Sequence, residues 1–489
     1  MSNANQGNNR RHFLQTMAAG AALGPYSLMA ADPQADAPRH VPENLEGVVN
    51  QTDGRLIGDT HLLESQRRIP VAGRSQVLVC GGGPAGIGAA LAAARAGADT
   101  QLIEVHGCLG GVWTAGLLTK IIGGAQQSGI MDEIMSAMVE RGGTVAQQTE
   151  GAVYDPELMK LVLEEKCVEA GVKIQLHTQL VGAVTDKRNR IVAIVTESKS
   201  GRQAWVADRF IDCSGDGDLA AQAGCGFDVG FGVECECQPM SLIALLTGVD
   251  PTRIEKYIRE TGADAKPRLL KLLREAGVDP SYRAPTLRHL HSGIYSLMTN
   301  HEYGVSATDA GQITQATIQA RAEVNAIVQG LRSLGDPWSD LAVVATAEQI
   351  GVREGRRIHG RYTITGLDLT SGLRHKDAVC RANFGFDVHS LSLAGGNPSD
   401  VKRYRAAGVK PYDIPLPALI AADVDGLMMA GRCISGDFIA HSSYRVTGFA
   451  VPMGEAAGLT SAVSLKKGVM PHELSWKEVK STASRSAGT

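Results

Sequence analysis

Apolar and polar positions along this chain change their period several times, and each change predicts an element. The run 77–80 (VLVC) is unbroken by polar residues, meets three glycines at 81–83, and gives way to an alanine-rich stretch that Gly97 is placed to stop. That order predicts strand, tight turn and helix, with a second strand around Leu102 and Ile103 ending at Glu104. A helix follows over 129–140, and Asp155–Pro156 opens another in which Met159, Leu163, Cys167 and Ala170 share a stripe before Gly171. From 172 the period becomes that of strands: 172–177, 180–185, 191–197 and 203–206 read as a β-meander, and 209–212 as a returning buried strand. The region 226–375 mixes short strands with helices. Its longest helix carries Ile313, Thr317, Ala320, Val324, Ile327, Val328 and Leu331 at helical spacing. A buried strand at 426–431 and a small-residue helix from about 449 to 464 close the pattern.

The glycine turn carries chemistry. Gly81 and Gly83 keep side chains away from an approaching pyrophosphate, and Gly86 lets the helix lie close to the sheet. Pro84 suits the first helical turn, where its missing N–H costs nothing. Glu104, about 20 residues beyond the turn, stands where an acid holds a ribose hydroxyl. Together these predict dinucleotide binding.

Composition narrows the class. The chain has 489 residues, 44% hydrophobic, with a net charge of −3 and no long block of one sign, which argues against a nucleic-acid surface. Nine scattered cysteines without a CxxC pair give neither a disulfide framework nor a metal centre. Cys235 and Cys237 read as alternation on a strand. The N-terminus resembles a twin-arginine export signal: Arg10 and Arg11, an apolar stretch over 17–29, and small residues at Ala35 and Ala37. That stretch is too short to span a bilayer. The expectation is a periplasmic or secreted protein with no membrane span after removal of 1–37.

Four segments now stand in one order: the first fold; CLGG and TAG within 108–116; IDCSGDGDLA at 211–220; and GLMMAGRCISGDFIAHSSYRVTGFAVPMGEAAG at 426–458. With QIGVREGRRIHG at 349–360, this combination resembles the FAD-dependent oxidoreductases of the glutathione-reductase-like superfamily, similar in plan to the fumarate reductase and succinate dehydrogenase flavoproteins. The resemblance implies an α/β fold: a Rossmann-like FAD-binding domain with a three-layer ββα/parallel sheet and β-meander, plus a mixed α+β substrate domain. The expected division is a signal over 1–37, a leader over 38–75, a discontinuous FAD domain at 76–225 and 376–470, a cap at 226–375 and a tail at 471–489. By the same resemblance Gly81, Gly83, Pro84, Ala85, Gly86 and Glu104 hold the adenosine diphosphate half of FAD, and Gly110, Gly111 and Thr114 run beside phosphates and flavin. The resemblance further implies that Val181 contacts adenine, that Gly215 and Asp216 close the site from the second strand, and that Gly431 and Gly448 also contact the cofactor. Where relatives carry an acid after the Ala-Gly of the last strand, this chain has Arg432, and Asp437 is the substitute for holding the ribityl chain.

Among reactive candidates, His389 is the expected proton acceptor as hydride leaves a substrate carbon for FAD, with Arg445 as charge stabiliser. His441 and Tyr444, by sequence position, and Arg374 and His375 share the remaining weight. Arg353, Arg356 and Arg357 read as an ion-paired structural cluster, His289 and His291 as a surface pair, and Cys108 as a packed thiol, although with His106 it raises covalent flavin attachment. A single cysteine after Glu104 excludes a disulfide reductase, and a second nucleotide turn for NAD(P)H is absent. The reading is an exported FAD-dependent dehydrogenase or oxidase of a small polar molecule, passing electrons to oxygen, a quinone or an exported redox protein. The rivals are a reductase of an activated double bond and a flavin-binding subunit without turnover.

Overall fold

The computed structural model describes residues 54–58, 60–123, 129–144, 151–395 and 399–486. The twin-arginine stretch with Arg10 and Arg11 lies outside them. Among the described residues no helix is long and apolar enough to cross a membrane.

A seven-stranded sheet organises the molecule. Its strands run in the order Lys173–Gln175, Thr100–Ile103, Val71–Cys80, Gly201–Asp212, Ile191–Ser198 and Gln179–Thr185, with Leu427–Met429 also paired to Gly201–Asp212. Pairing is parallel from Lys173–Gln175 to Gly201–Asp212 and for Leu427–Met429, and antiparallel through Ile191–Ser198 to Gln179–Thr185. The parallel part is covered on both faces, so its strands are continuous apolar runs: Val77, Leu78, Val79, Leu102, Phe210 and Ile211 are fully buried. The α/β fold with a parallel dinucleotide sheet and meander is therefore present.

Four local expectations need correction. Residues 172–177 form no meander strand. The helix Pro156–Glu169 returns the chain to the parallel edge, where Gln101 pairs with Lys173, and a left-handed His177 (φ 54°) turns it away. The stretches 203–206 and 209–212 form one strand of 12 residues, because Ala207 and Arg209 stay paired with Ser75 and Val77 of the opening strand. The opening strand starts at Val71 rather than 77, since Val71 to Ser75 pair with Ala204 to Ala207. Cys235 and Cys237 do not alternate on a strand either: Cys235 sits in a tight turn (φ 52°) bridged by Phe231 and Glu236, and all nine cysteines are free.

The opening helix, Pro84–Arg95, packs on the closing helix, Thr447–Lys467, with backbones almost touching. A β-carbon on Gly88 would overlap the Val451 carbonyl oxygen, and one on Gly458 would overlap that of Ala89. This closeness explains the small-residue composition of both helices and aligns their N-termini. On the far side, a four-stranded antiparallel sheet (Thr286–His291, Ile294–Met298, Ala244–Thr247, Ala342–Thr346) is backed by Ala265–Glu275 and Ala310–Ser333. Asp309 caps the long helix by accepting from the Gln312 N–H at 3.0 Å, and Val324, Ile327 and Leu331 form its core stripe.

Candidate active site

Both helix N-termini open on one cavity of about 410 Å³. Gly83, Pro84 and Ala85 line it from the opening helix; Val446, Thr447 and Ala450 line it from the closing one. Neither Gly83 nor Val446 caps its helix with a side chain, so first-turn N–H groups and both positive dipole ends face the space. The Thr447 hydroxyl is buried there without a partner among the described residues. The turn is held from below: Glu104 accepts the Gly82 N–H at 2.5 Å and the His106 N–H at 2.9 Å, which keeps the acid at the cavity wall. A β-carbon on Gly81 (φ 98°) would overlap the Cys213 carbonyl, whereas one on Gly83 would meet no protein atom within 4 Å. The room at Gly83 opens on the cavity.

Of the expected cofactor contacts, Gly81, Gly83, Pro84, Ala85, Glu104, Gly111, Gly215 and Gly431 line this cavity. The others do not, each for a visible reason. Gly86 packs against the Gly81 carbonyl. Gly110 donates to the Gly82 carbonyl at 2.8 Å, and the Thr114 hydroxyl donates to the Leu109 carbonyl at 2.6 Å, so both brace the loop. The wall near Val181 is made by Thr178, Gln179 and Leu180. Asp216 is paired with Arg432 at 2.6 Å. The Gly448 N–H donates to the Ile122 carbonyl at 2.9 Å. Asp437 caps the helix Phe438–Tyr444, accepting from the Ala440 N–H at 2.7 Å and the Gly366 N–H at 2.8 Å, which leaves no substitute ribityl acid there.

At the other end, His389 and Arg445 face the cavity and share a carboxylate. Arg445 donates to Asp387 Oδ2 at 3.0 Å and to its carbonyl at 2.8 Å, while His389 Nε2 lies 3.5 Å from Asp387 Oδ1. Gln238 ties both, its amide oxygen accepting the His389 N–H at 3.0 Å and an Arg445 N–H at 3.4 Å. Burial, then the neighbouring Arg353, pushes the His389 imidazole down to about 4, so it is neutral and able to accept a proton at pH 7. Burial opposes the charge on Asp387, but His389, Arg445 and Arg353 hold its carboxyl below the ordinary range.

Arg353 corrects the ion-paired reading. Arg356 pairs with Asp218 at 2.8 Å and Arg357 with Glu354 at 2.6 Å. Arg353 instead lines the cavity, donating to the Pro239 carbonyl at 2.5 Å and to Ser241 Oγ at 3.0 Å, with no carboxylate in ion-pair reach among the described residues. His441 and Tyr444 lie off the wall in the core behind it, Tyr444 donating to the Ile434 carbonyl at 3.0 Å. Arg374 and His375 are engaged by Asp413. His291 meets Asp155 at 3.2 Å and His289 stacks on Tyr295, and the described residues hold no metal-ligand cluster. The Cys108 thiol, raised by burial, approaches Thr114 and lies off the wall. Tyr282, Asp387 and Arg353 were missed as site residues. Asp387 stands two positions before His389 in a segment that is neither helix nor strand, so no local period announced it. Nothing local announces Tyr282.

The walls fit FAD. A glycine turn open to a ligand, two uncapped helix N-termini, an acid held beside the turn and an orphaned hydroxyl suit a diphosphate and its flanking groups. Comparison agrees. The sequence model of the FAD-dependent oxidoreductase family matches residues 76–482. Among solved structures, the chain is similar to a geranylgeranyl bacteriochlorophyll reductase-like protein from Thermoplasma acidophilum (13% identity over 81% of this chain and 79% of that one, TM-score 0.43). It is also similar to the flavin-dependent brominase Bmp2 (12%, 85% and 84%, TM-score 0.44) and to the monooxygenase PieE solved with FAD and substrate (16%, 59% and 51%, TM-score 0.37). With the family match spanning most of its length, the chain belongs to the FAD-dependent oxidoreductases, an enzyme whose cofactor is FAD.

Proposed function

We propose that this enzyme oxidises a small hydroxylated or carboxylated organic substrate, with His389 as the base and with Arg445 and Arg353 holding negative charge. One observation carries the reading: a carboxylate shared by His389 and Arg445 stands in the wall of the same cavity as the glycine turn. Bound FAD supplies the two-electron acceptor that takes hydride from the substrate carbon. His389, neutral at pH 7, accepts the hydroxyl proton, and Asp387 orients the ring and stabilises the imidazolium. Arg353, lacking an acid partner among the described residues, suits a substrate carboxylate. Tyr282 and Arg353 on the wall support 226–375 as the substrate-covering segment. The test is anaerobic bleaching of FAD-loaded protein by hydroxy acids, alcohols, sugars and amines. At least one hydroxylated substrate should bleach it, and Arg353→Met should lose preference for the acidic ones.

A second reading has one observation in its favour. Arg353 is pushed down to about 10 by burial and then by Arg445, which makes it a better proton donor than an ordinary guanidinium. In a reductase of activated double bonds it would deliver the proton. Oxidation of dithionite-reduced enzyme by enoates, without bleaching by any alcohol, would select this direction.

We also propose export of the folded, FAD-loaded protein, similar in plan to the fumarate reductase and succinate dehydrogenase flavoproteins, with oxygen, a quinone or an exported redox protein as acceptor. Arg10, Arg11 and the apolar stretch after them support it. Fractionation of cells expressing Arg10→Lys/Arg11→Lys protein tests it: the doubly substituted chain should stay in the cytoplasm.

A further inference from the structure

His389 stands on the stretch 383–390, which is neither helix nor strand beyond its first residues, so the backbone groups there find their partners singly. Three carbonyls are held by side chains from further along the chain: Ser443 donates to that of Phe384, Arg445 to that of Asp387 at 2.8 Å and Arg405 to that of Val388. The His389 N–H turns the other way. Its acceptor is Gln238 Oε1 at 3.0 Å, and the same oxygen takes an N–H of Arg445 at 3.4 Å. Turned over, the amide would set its NH₂ against both donors, so the direction of the oxygen is fixed. Gln238 is 1% exposed and off the cavity wall, so it touches neither substrate nor FAD.

Gln238 also begins a fixed stretch. Its own N–H donates to Glu354 Oε2 at 3.1 Å, and Glu354 is paired with Arg357 at 2.6 Å, both side chains being buried. Pro239 has no N–H; those of Met240, Ser241 and Leu242 donate to the Glu302 carbonyl at 3.0 Å, the Gly351 carbonyl at 3.1 Å and Asn300 Oδ1 at 2.7 Å. Every backbone donor from 238 to 242 is thus used inside the protein. From the same stretch the Pro239 carbonyl and Ser241 Oγ accept from Arg353. Four consecutive residues therefore reach the base, the cation beside it and the arginine that suits a substrate carboxylate.

We infer that Gln238 is a positioning residue for the oxidation: it fixes His389 against Asp387 and Arg445 and, through 238–241, holds that ring at a constant distance from Arg353. This inference rests on the proposed dehydrogenation, in which base and carboxylate anchor grip one small molecule at two points. A shift of about 1 Å between such points costs up to about 100-fold in rate. The covering segment 226–375 thereby supports the base as well as supplying the substrate's anchor. An amide suits the place because its oxygen accepts from both donors without setting a third acid beside Asp387 and Glu354.

The test uses FAD-loaded protein with ¹⁵N-labelled histidine, and its first part needs no substrate. In wild type the His389 backbone amide should exchange with solvent at least about 100-fold more slowly than in the unfolded chain. In Gln238→Met, which keeps the length and removes the acceptor, that exchange should quicken at least about tenfold, with FAD content unchanged. Gln238→Asn draws the oxygen back by one methylene and should do the same, so a first variant that fails to fold leaves a second. With a bleaching substrate, kcat should fall at least about tenfold in either variant while KM for an acidic substrate stays within about twofold, because Arg353 keeps Pro239 and Ser241. A freely exchanging His389 amide in wild type, unchanged exchange in a folded variant, or an unchanged kcat overturns the inference and leaves the dehydrogenation standing. Faster exchange in variants of a protein that no alcohol or hydroxy acid bleaches upholds the grip of Gln238 on His389 and overturns the dehydrogenation.

Discussion

Gly454 lies against Ala85 so closely that a β-carbon on the first would overlap the carbonyl oxygen of the second. The contact joins the closing helix to the first turn of the opening helix, so the alignment of the two N-termini depends on it. Gly454→Ala should therefore cost about 1–3 kcal/mol of stability and lower FAD affinity at the same time. Gly83→Ala should separate the two effects. Its backbone (φ −69°) accepts any residue and its β-carbon meets no protein atom, so the apoprotein should melt as wild type while FAD binding weakens at least about tenfold. Thermal melts of apoprotein beside fluorescence titration with FAD measure both.

His389 links the site to pH. Unfolded, its imidazole titrates near 6.5; folded, burial and Arg353 hold it at about 4, so the unfolded chain binds more protons between those values. Stability contributed by the neutral ring is present above pH 6.5 and is lost as the pH falls towards 4, by up to roughly 3 kcal/mol. Urea denaturation at steps across this window should show a slope that His389→Gln flattens.

Arg353 should behave as a binding residue. Because it ion-pairs with no carboxylate among the described residues, and Asp387 keeps Arg445 and His389, Arg353→Met leaves no buried acid without a partner, and the melting temperature should stay close to wild type. KM for a carboxylated substrate should rise by about 10- to 100-fold, as expected for loss of a charge-assisted contact worth about 1.5–3 kcal/mol. Arg353→Lys should restore only part of it, since an ammonium lacks the planar fork. Steady-state kinetics with matched acidic and neutral substrates checks this.

Arg432 and Asp216, each 16% exposed, form a mostly buried pair where an acid was expected to meet the ribityl chain. Removing one partner strands the other, so Arg432→Met or Asp216→Leu alone should cost about 3–5 kcal/mol, and the double substitution distinctly less than the sum. A double-mutant cycle by chemical denaturation measures the coupling.

How much of this was legible in the sequence follows the range of the forces. The turn at 81–86 and the helix after it depend on local sterics, and Asp155 before Pro156 is a local cap; all were readable. Arg353 and Tyr282 reach the cavity only through the packing of a distant sheet, and no window around either residue holds that information. His441 and Tyr444 were misplaced because their position in the sequence was taken for nearness to the flavin. They belong to the helix Phe438–Tyr444, where successive side chains turn by about 100°, and both are directed into the core. Asp437, an acid directly before that helix, carried a cap signal that outweighed a cofactor role.

The central claim is that a neutral His389, oriented by Asp387 in the wall of the FAD cavity, takes the substrate's proton as hydride departs. Stopped-flow bleaching under anaerobic conditions, comparing wild type with His389→Gln on the best hydroxylated substrate, tests it directly. The account predicts a rate of flavin reduction at least about 100-fold lower in the variant, with FAD content unchanged. Equal rates in the two proteins would contradict it.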